Sequence, residues 1–201
     1  MYRTLSVERR KVLFNARDGT LIKECPPKFQ IDSWGKLRFV STVFRYLPAI
    51  AQLHYELVMV TNQDGLGTRY FPEAHFWPIQ NHIIDCFKIK GVNFTDVHID
   101  RSFAYENLPT RKPGTAMLTK YFEEAIYDLE HSFVIGGRLT DVQLAKHMGC
   151  KAILINYSAL IDENHEFDKA LLNDVVVLKT KRWKDVYEFL LMERRVRKMD
   201  R

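Results

Sequence analysis

Six short runs rich in Val, Ile, Leu and Phe recur along the chain, with longer stretches at helical spacing between them, and this alternation constrains the fold more than any other feature. The runs are KVLFNA (11–16), ELVMVT (56–61), DVHI (96–99), SFVIGG (132–137), KAILIN (151–156) and VVVLKT (175–180). Such a pattern predicts an α/β fold, a doubly wound, Rossmann-like and mainly parallel sheet flanked by crossover helices. Helices are expected over 39–54, 72–90, 114–128, 140–148 and 182–197. At 201 residues and 46% hydrophobic content, the chain has material for one well-buried domain spanning 1–201, ending in a basic helix or tail at 182–201.

Composition narrows the function classes. The longest apolar stretches fall short of the roughly 18 residues a membrane span needs, and MYRTLSVERRK has no apolar core behind its charges. The expectation is a cytoplasmic protein with no membrane partner. Cys25, Cys86 and Cys150 are far apart and odd in number, which makes neither a disulfide framework nor a metal knuckle. The formal charge of +5 is concentrated in VERRK and MERRVRKMDR. Cations suit the C-terminal pole of a helix, so the tail reads as a solvated helix end rather than a nucleic-acid site, with docking of a protein partner as its other use. The seven histidines are scattered, and His82 beside Ile83 and Ile84 reads as packing. No Gly-rich phosphate loop ending in Lys-Ser/Thr and no dinucleotide fingerprint is present.

In an open parallel sheet ligands bind at the carboxyl ends of the strands. There the sequence places Arg17, Asp18, Gly19 and Thr20, then Thr61, Asn62, Gln63 and Asp64, then Gly136, Gly137, Arg138 and Asp141; Lys112 stands before Pro113 at a helix start. Each group alone could be a turn or a cap. Four together at neighbouring strand ends point to one phosphate-handling site.

The segments FNARDGTLI, VMVTNQDGLGT, TRKPGT and FVIGGRLTDVQLAKHMGC, in this order, resemble the four signature segments of the haloacid-dehalogenase superfamily. More narrowly, with the flanks PPKFQID and FPEAHFWPIQN, residues 11 to 190 resemble the histidinol-phosphate phosphatase domains of bifunctional histidine-biosynthesis enzymes. The resemblance implies a haloacid-dehalogenase fold without a large cap domain and hydrolysis of a small phosphomonoester. In that family one aspartate attacks the phosphate, a second two residues later protonates the leaving group and activates water, a Thr and a Lys bind the phosphoryl group, and carboxylates hold magnesium. Asp18 matches the acid/base, Thr61 the Thr and Lys112 the Lys, with Arg17 and Asn62 beside them as further phosphate-binding positions.

Two positions depart from the family's pattern. The nucleophile position is Ala16, and the magnesium-ligating Asp of the fourth segment is Gly137. Asn15 cannot stand in, since adjacent strand residues face opposite ways and an amide is a poor nucleophile. Asp141 is at most peripheral to a metal. Many relatives also carry a zinc loop of three cysteines and a histidine; here Asp100, Ser102, Leu108 and Thr110 fill those positions, with no thiolate among them. Neither magnesium nor zinc is therefore expected. Loss of a covalent nucleophile costs on the order of 10⁶-fold in rate. The expected protein is a histidinol-phosphatase-like pseudoenzyme that keeps a pocket for phosphate or a small phosphomonoester. The alternatives are an active or residual phosphatase using water and Asp18, and a scaffold docking a partner through the C-terminal helix.

Overall fold

The computed structural model describes residues 9–156 and 166–199. Six strands form a single parallel sheet: β1 (Lys11–Asn15), β2 (Tyr55–Asn62), β3 (Phe94–Asp100), β4 (Phe133–Gly136), β5 (Lys151–Ile155) and β6 (Val176–Thr180), in the order β3-β2-β1-β4-β5-β6. This is the doubly wound order expected from the alternating pattern. The strand order reverses between β1 and β4, which opens a crevice at their carboxyl ends.

Alternation along each strand divides the core into two layers. Leu13, Leu57, Met59, Ile135, Ile153 and Ile155 pack on one face against the helices α1 (Val43–Ala51), α2 (Glu73–Ile89) and α6 (Trp183–Met199). Val12, Phe14, Val58, Val60, Val134 and Leu154 pack on the other against α4 (Leu139–Met148) and α5 (Glu166–Val175), with Leu118, Tyr121 and Tyr127. Full burial of each such side chain contributes about 1.5–3 kcal/mol. Trp183 is wholly buried, and its indole N–H donates to the Thr20 carbonyl at 3.1 Å, tying the start of α6 to the loop that follows β1.

The six strands fall where the sequence places them, to within two residues at each end. The helix expected over 114–128 does not form: a 3-10 turn at Ala116–Leu118 and one helical turn, α3 (Lys120–Glu123), take its place. Glu124 is extended, and the chain beyond it pairs with the edge of β1 through Arg10 N–H to the Ile126 carbonyl at 2.6 Å and Asp128 N–H to the Arg10 carbonyl at 2.8 Å. Those bonds need extended backbone, and they override the periodicity. The helix read over 39–54 shortens to α1, because Phe39 bridges to Ile22 and Thr42 is left-handed. Helix α5 has no counterpart in the sequence reading. No helix among the described residues is long and apolar enough to cross a membrane. The basic tail lies in α6 as far as Met199, and residues 200 and 201 fall outside the described residues.

Candidate functional site

A cavity of about 180 Å³ opens at the carboxyl ends of β1, β2 and β4. Ala16, Arg17, Asp18, Thr61, Asn62, Gln63, Asp64, Lys112, Arg138 and Asp141 all line it, so the strand-end residues singled out in the sequence face one space, apart from Gly19, Thr20, Gly136 and Gly137. Gly137 is buried next to it, at the turn from β4 into α4.

Asp18 lies just past β1, where tight bonds from the Leu21 and Ile22 N–H groups to the Arg17 carbonyl close a turn. Its Oδ2 accepts from Gln63 Nε2 at 2.7 Å and, weakly, from the Thr61 hydroxyl at 3.4 Å; its Oδ1 has no hydrogen-bond donor and stands 3.3 Å from an Arg17 nitrogen. Gln63 also donates to Thr61 Oγ1 at 2.8 Å, so one buried amide orders both the acid/base position and the hydroxyl. The sequence places Gln63 in the strand-end set but gives it no role of its own. Its place two residues after Thr61, on the same side of an extended backbone, is the signal that would find it.

Arg17 is almost entirely buried, its guanidinium 5.0 Å from the Phe76 ring and 3.3 Å from Gln80 Oε1. Its Nε and Nη2 lack hydrogen-bond partners. Burial lowers its pKa, and Asp18 counters that.

Lys112 and Asp141 form a buried ion pair, Nζ to Oδ1 at 2.7 Å. Asp141 is the third residue of α4, and its Oδ2 accepts the Gly137 and Arg138 N–H groups at 3.1 and 3.0 Å, so it caps the helix as well. The position of Lys112 is fixed by Asn62, whose amide makes reciprocal bonds to the Lys112 backbone: Nδ2 to the carbonyl at 3.1 Å, and Oδ1 from the N–H at 3.0 Å. Asn62 thus spends its side chain on holding Lys112.

The metal positions are empty of donors. Ala16 presents a methyl group, and the Asn15 amide nitrogen is spent on the Leu13 and Val58 carbonyls, while its Oδ1 is buried without a hydrogen-bond partner and belongs to a strand residue facing away from Ala16. A Cβ built at Gly137 would lie 3.0 Å from the Ile155 carbonyl oxygen, tighter than side-chain carbons ordinarily come, so the end of β5 closes in where a side chain would start. Both oxygens of Asp141 are engaged, and no group of three His, Cys, Asp or Glu side chains able to hold a metal occurs among the described residues. These residues do not fit magnesium.

At the positions matching the zinc loop, Asp100 accepts from the Ser102 N–H at 2.9 Å, the Ser102 hydroxyl at 2.5 Å and the Thr110 hydroxyl at 2.6 Å. Leu108 stands apart, 44% exposed. A carboxylate with two hydroxyls closes the base of the 100–110 loop.

The rim carries further ion pairs. Arg111 contacts Asp64 at 2.8 Å and donates to the Ser102 carbonyl, and Arg138 grips Glu24 Oε1 through Nε and Nη2 at 3.0 and 2.7 Å. Burial would lower the Arg138 pKa, but the bond and charge of Glu24, with Asp141 and Asp18, raise it.

Residues 109–171 match the HAD-hydrolase-like family model. The chain is 48% identical over 197 residues to the histidine biosynthesis bifunctional protein HisB of Spirosoma linguale, covering 96% of this chain and 51% of that protein. It is 49% identical over 184 residues to the protein of the same name from Bacteroides fragilis, covering 90% and 48%. The chain thus spans about half the length of the curated relatives it matches. Among solved structures, the D,D-heptose 1,7-bisphosphate phosphatase of B. bronchiseptica, complexed with magnesium and phosphate, superposes with a TM-score of 0.73 at 19% identity, over 91% of this chain and 99% of that one. Fold, strand-end site and sequence agree: the chain belongs to the haloacid-dehalogenase-like family.

Proposed function

We propose that this chain is a phosphate-binding relative of histidinol phosphatase that has lost covalent phosphatase chemistry. The observation that carries the reading is the paired loss of carboxylates at Ala16 and Gly137, while Arg17, Asp18, Thr61 and Lys112 stay around one cavity. The reaction needs a nucleophile and a charge-neutralising metal, and a methyl and a bare backbone supply neither. Anion binding needs only donors and positive charge. Lys112 has two ammonium N–H bonds beyond the one given to Asp141, and buried Arg17 has donors without partners. Loss of two carboxylates makes the cavity two charges more positive than its family pattern, which lets a phosphate dianion bind without magnesium.

Assay of purified protein with histidinol phosphate and with an aryl phosphate, in magnesium, is expected to give turnover far below 1 per second. A rate near the ~1 per second or more that ordinary enzymes reach would overturn the proposal.

A further inference from the structure

The charge around the cavity is not evenly available. Four cations are each neutralised by their own acid: Arg17 by Asp18 at 3.3 Å, Arg111 by Asp64 at 2.8 Å, Lys112 by Asp141 at 2.7 Å and Arg138 by Glu24 at 2.7 Å. The fifth, Lys28, also lines the cavity, is exposed, and has no acidic partner among the described residues. The unspent positive charge of the site therefore sits at its mouth.

The strap that carries Lys28 is fixed. Residues 24–30 are held at one end by the Glu24–Arg138 bonds and at the other by Gln30 Nε2 donating to the Asp64 carbonyl at 3.0 Å. Between them the Phe29 N–H closes a turn onto the Cys25 carbonyl at 3.0 Å. Phe29 itself has φ 58°, a left-handed conformation that bulky residues seldom adopt, and it lines the cavity with its ring 38% exposed and 5.7 Å from the Arg138 guanidinium. The turn thus sets an ammonium and an apolar ring side by side at the entrance, facing whatever a bound phosphate is esterified to.

Resting on the phosphate-pocket reading above, we propose that Lys28 makes this site select phosphomonoesters whose other end carries a second negative charge, and disfavour those, like histidinol phosphate, whose other end carries an ammonium. A phosphate deep in the cavity uses the donors of Arg17, Thr61 and Lys112. The remainder of a small ligand then reaches the strap, where a carboxylate or second phosphate meets Lys28 and an ammonium is repelled by it. The Asp64 carboxylate, which also lines the cavity, is committed to Arg111, and Glu24 on the strap is committed to Arg138.

The test is calorimetric titration of the whole chain, in chelator and at low salt, with inorganic phosphate and three esters of matched size: phosphoglycolate, ethyl phosphate and phosphoethanolamine. A unit charge a few Å from an exposed partner changes affinity about fivefold, so the expected order is phosphoglycolate, then ethyl phosphate, then phosphoethanolamine, about fivefold at each step, with the spread shrinking in 0.5 M salt. Lys28→Glu is expected to reverse the order, and Lys28→Gln to flatten it, each ester's affinity being taken relative to that of inorganic phosphate for the same variant. Equal affinities, tighter binding of phosphoethanolamine, or an order unchanged by both substitutions would overturn the selectivity while leaving the phosphate pocket standing. No binding of any anion, inorganic phosphate included, would overturn the pocket and the selectivity with it.

Discussion

Lys112 has two roles that pull against each other. It offers donors to an anion, and it neutralises Asp141, which is only 3% exposed and anchors the first turn of α4. Removing one member of a buried pair leaves the other charged and unmatched, which commonly costs about 3–5 kcal/mol. Lys112→Met is therefore expected to lower stability by about 3 kcal/mol in chemical denaturation. Adding Asp141→Asn should restore part of the loss, since the two residues share one interaction. A full loss unaffected by the second change would show that the pair is not coupled. Asn62 belongs to the same unit: an amide read from sequence as a phosphate contact is spent on the Lys112 backbone. Its strand-end position was readable, but its bonds join positions 50 apart in the chain and depend on a loop that no local pattern describes.

Among the elements, the strands were the most legible, because an apolar run covered on both faces can be read without knowing its neighbours. Helix α5 was the least. Among its described side chains the buried ones are Leu171, Leu172 and Val175, too short a run to show a helical period, and it passes into β6 without a turn residue to mark the boundary. The segment after Lys112 shows tertiary pairing overriding periodicity, and it also brings Lys120 and Tyr121 against Asp96 on the edge strand β3. Asp96 is bonded by the Lys120 ammonium and by the Tyr121 hydroxyl, the latter at 2.6 Å. Burial raises the Asp96 pKa, but those two bonds and the Lys120 charge outweigh it and hold it below the usual carboxylate range. A depressed folded-state pKa contributes stability that is present above the unfolded value near 3.9 and is lost as pH falls through the folded one. Asp96→Asn should then be less stable than the parent at pH 7, with the gap closing below about pH 4. A gap independent of pH in parallel denaturation curves would refute this.

At the scale of the whole molecule, the sheet order delivers the tips of β1, β2 and β4 to one crevice, and this made the site legible from strand ends alone. What sequence could not supply was the pattern of pairing within it, in which Arg111, Lys112 and Arg138 are each answered by an acid brought in from another part of the chain. The same economy governs the 100–110 loop, where Asp100 gathers Ser102 and Thr110. Protons shared among a carboxylate and two hydroxyls can be neither stripped by a chelator nor broken by an oxidant. Limited proteolysis should thus cut this loop at the same rate in EDTA, in peroxide and in plain buffer, whereas faster cutting in EDTA would betray a metal in the clasp. A loop fastened in this way depends on neither the metal supply nor the redox state of its surroundings, and its shape is inherited from the chain alone.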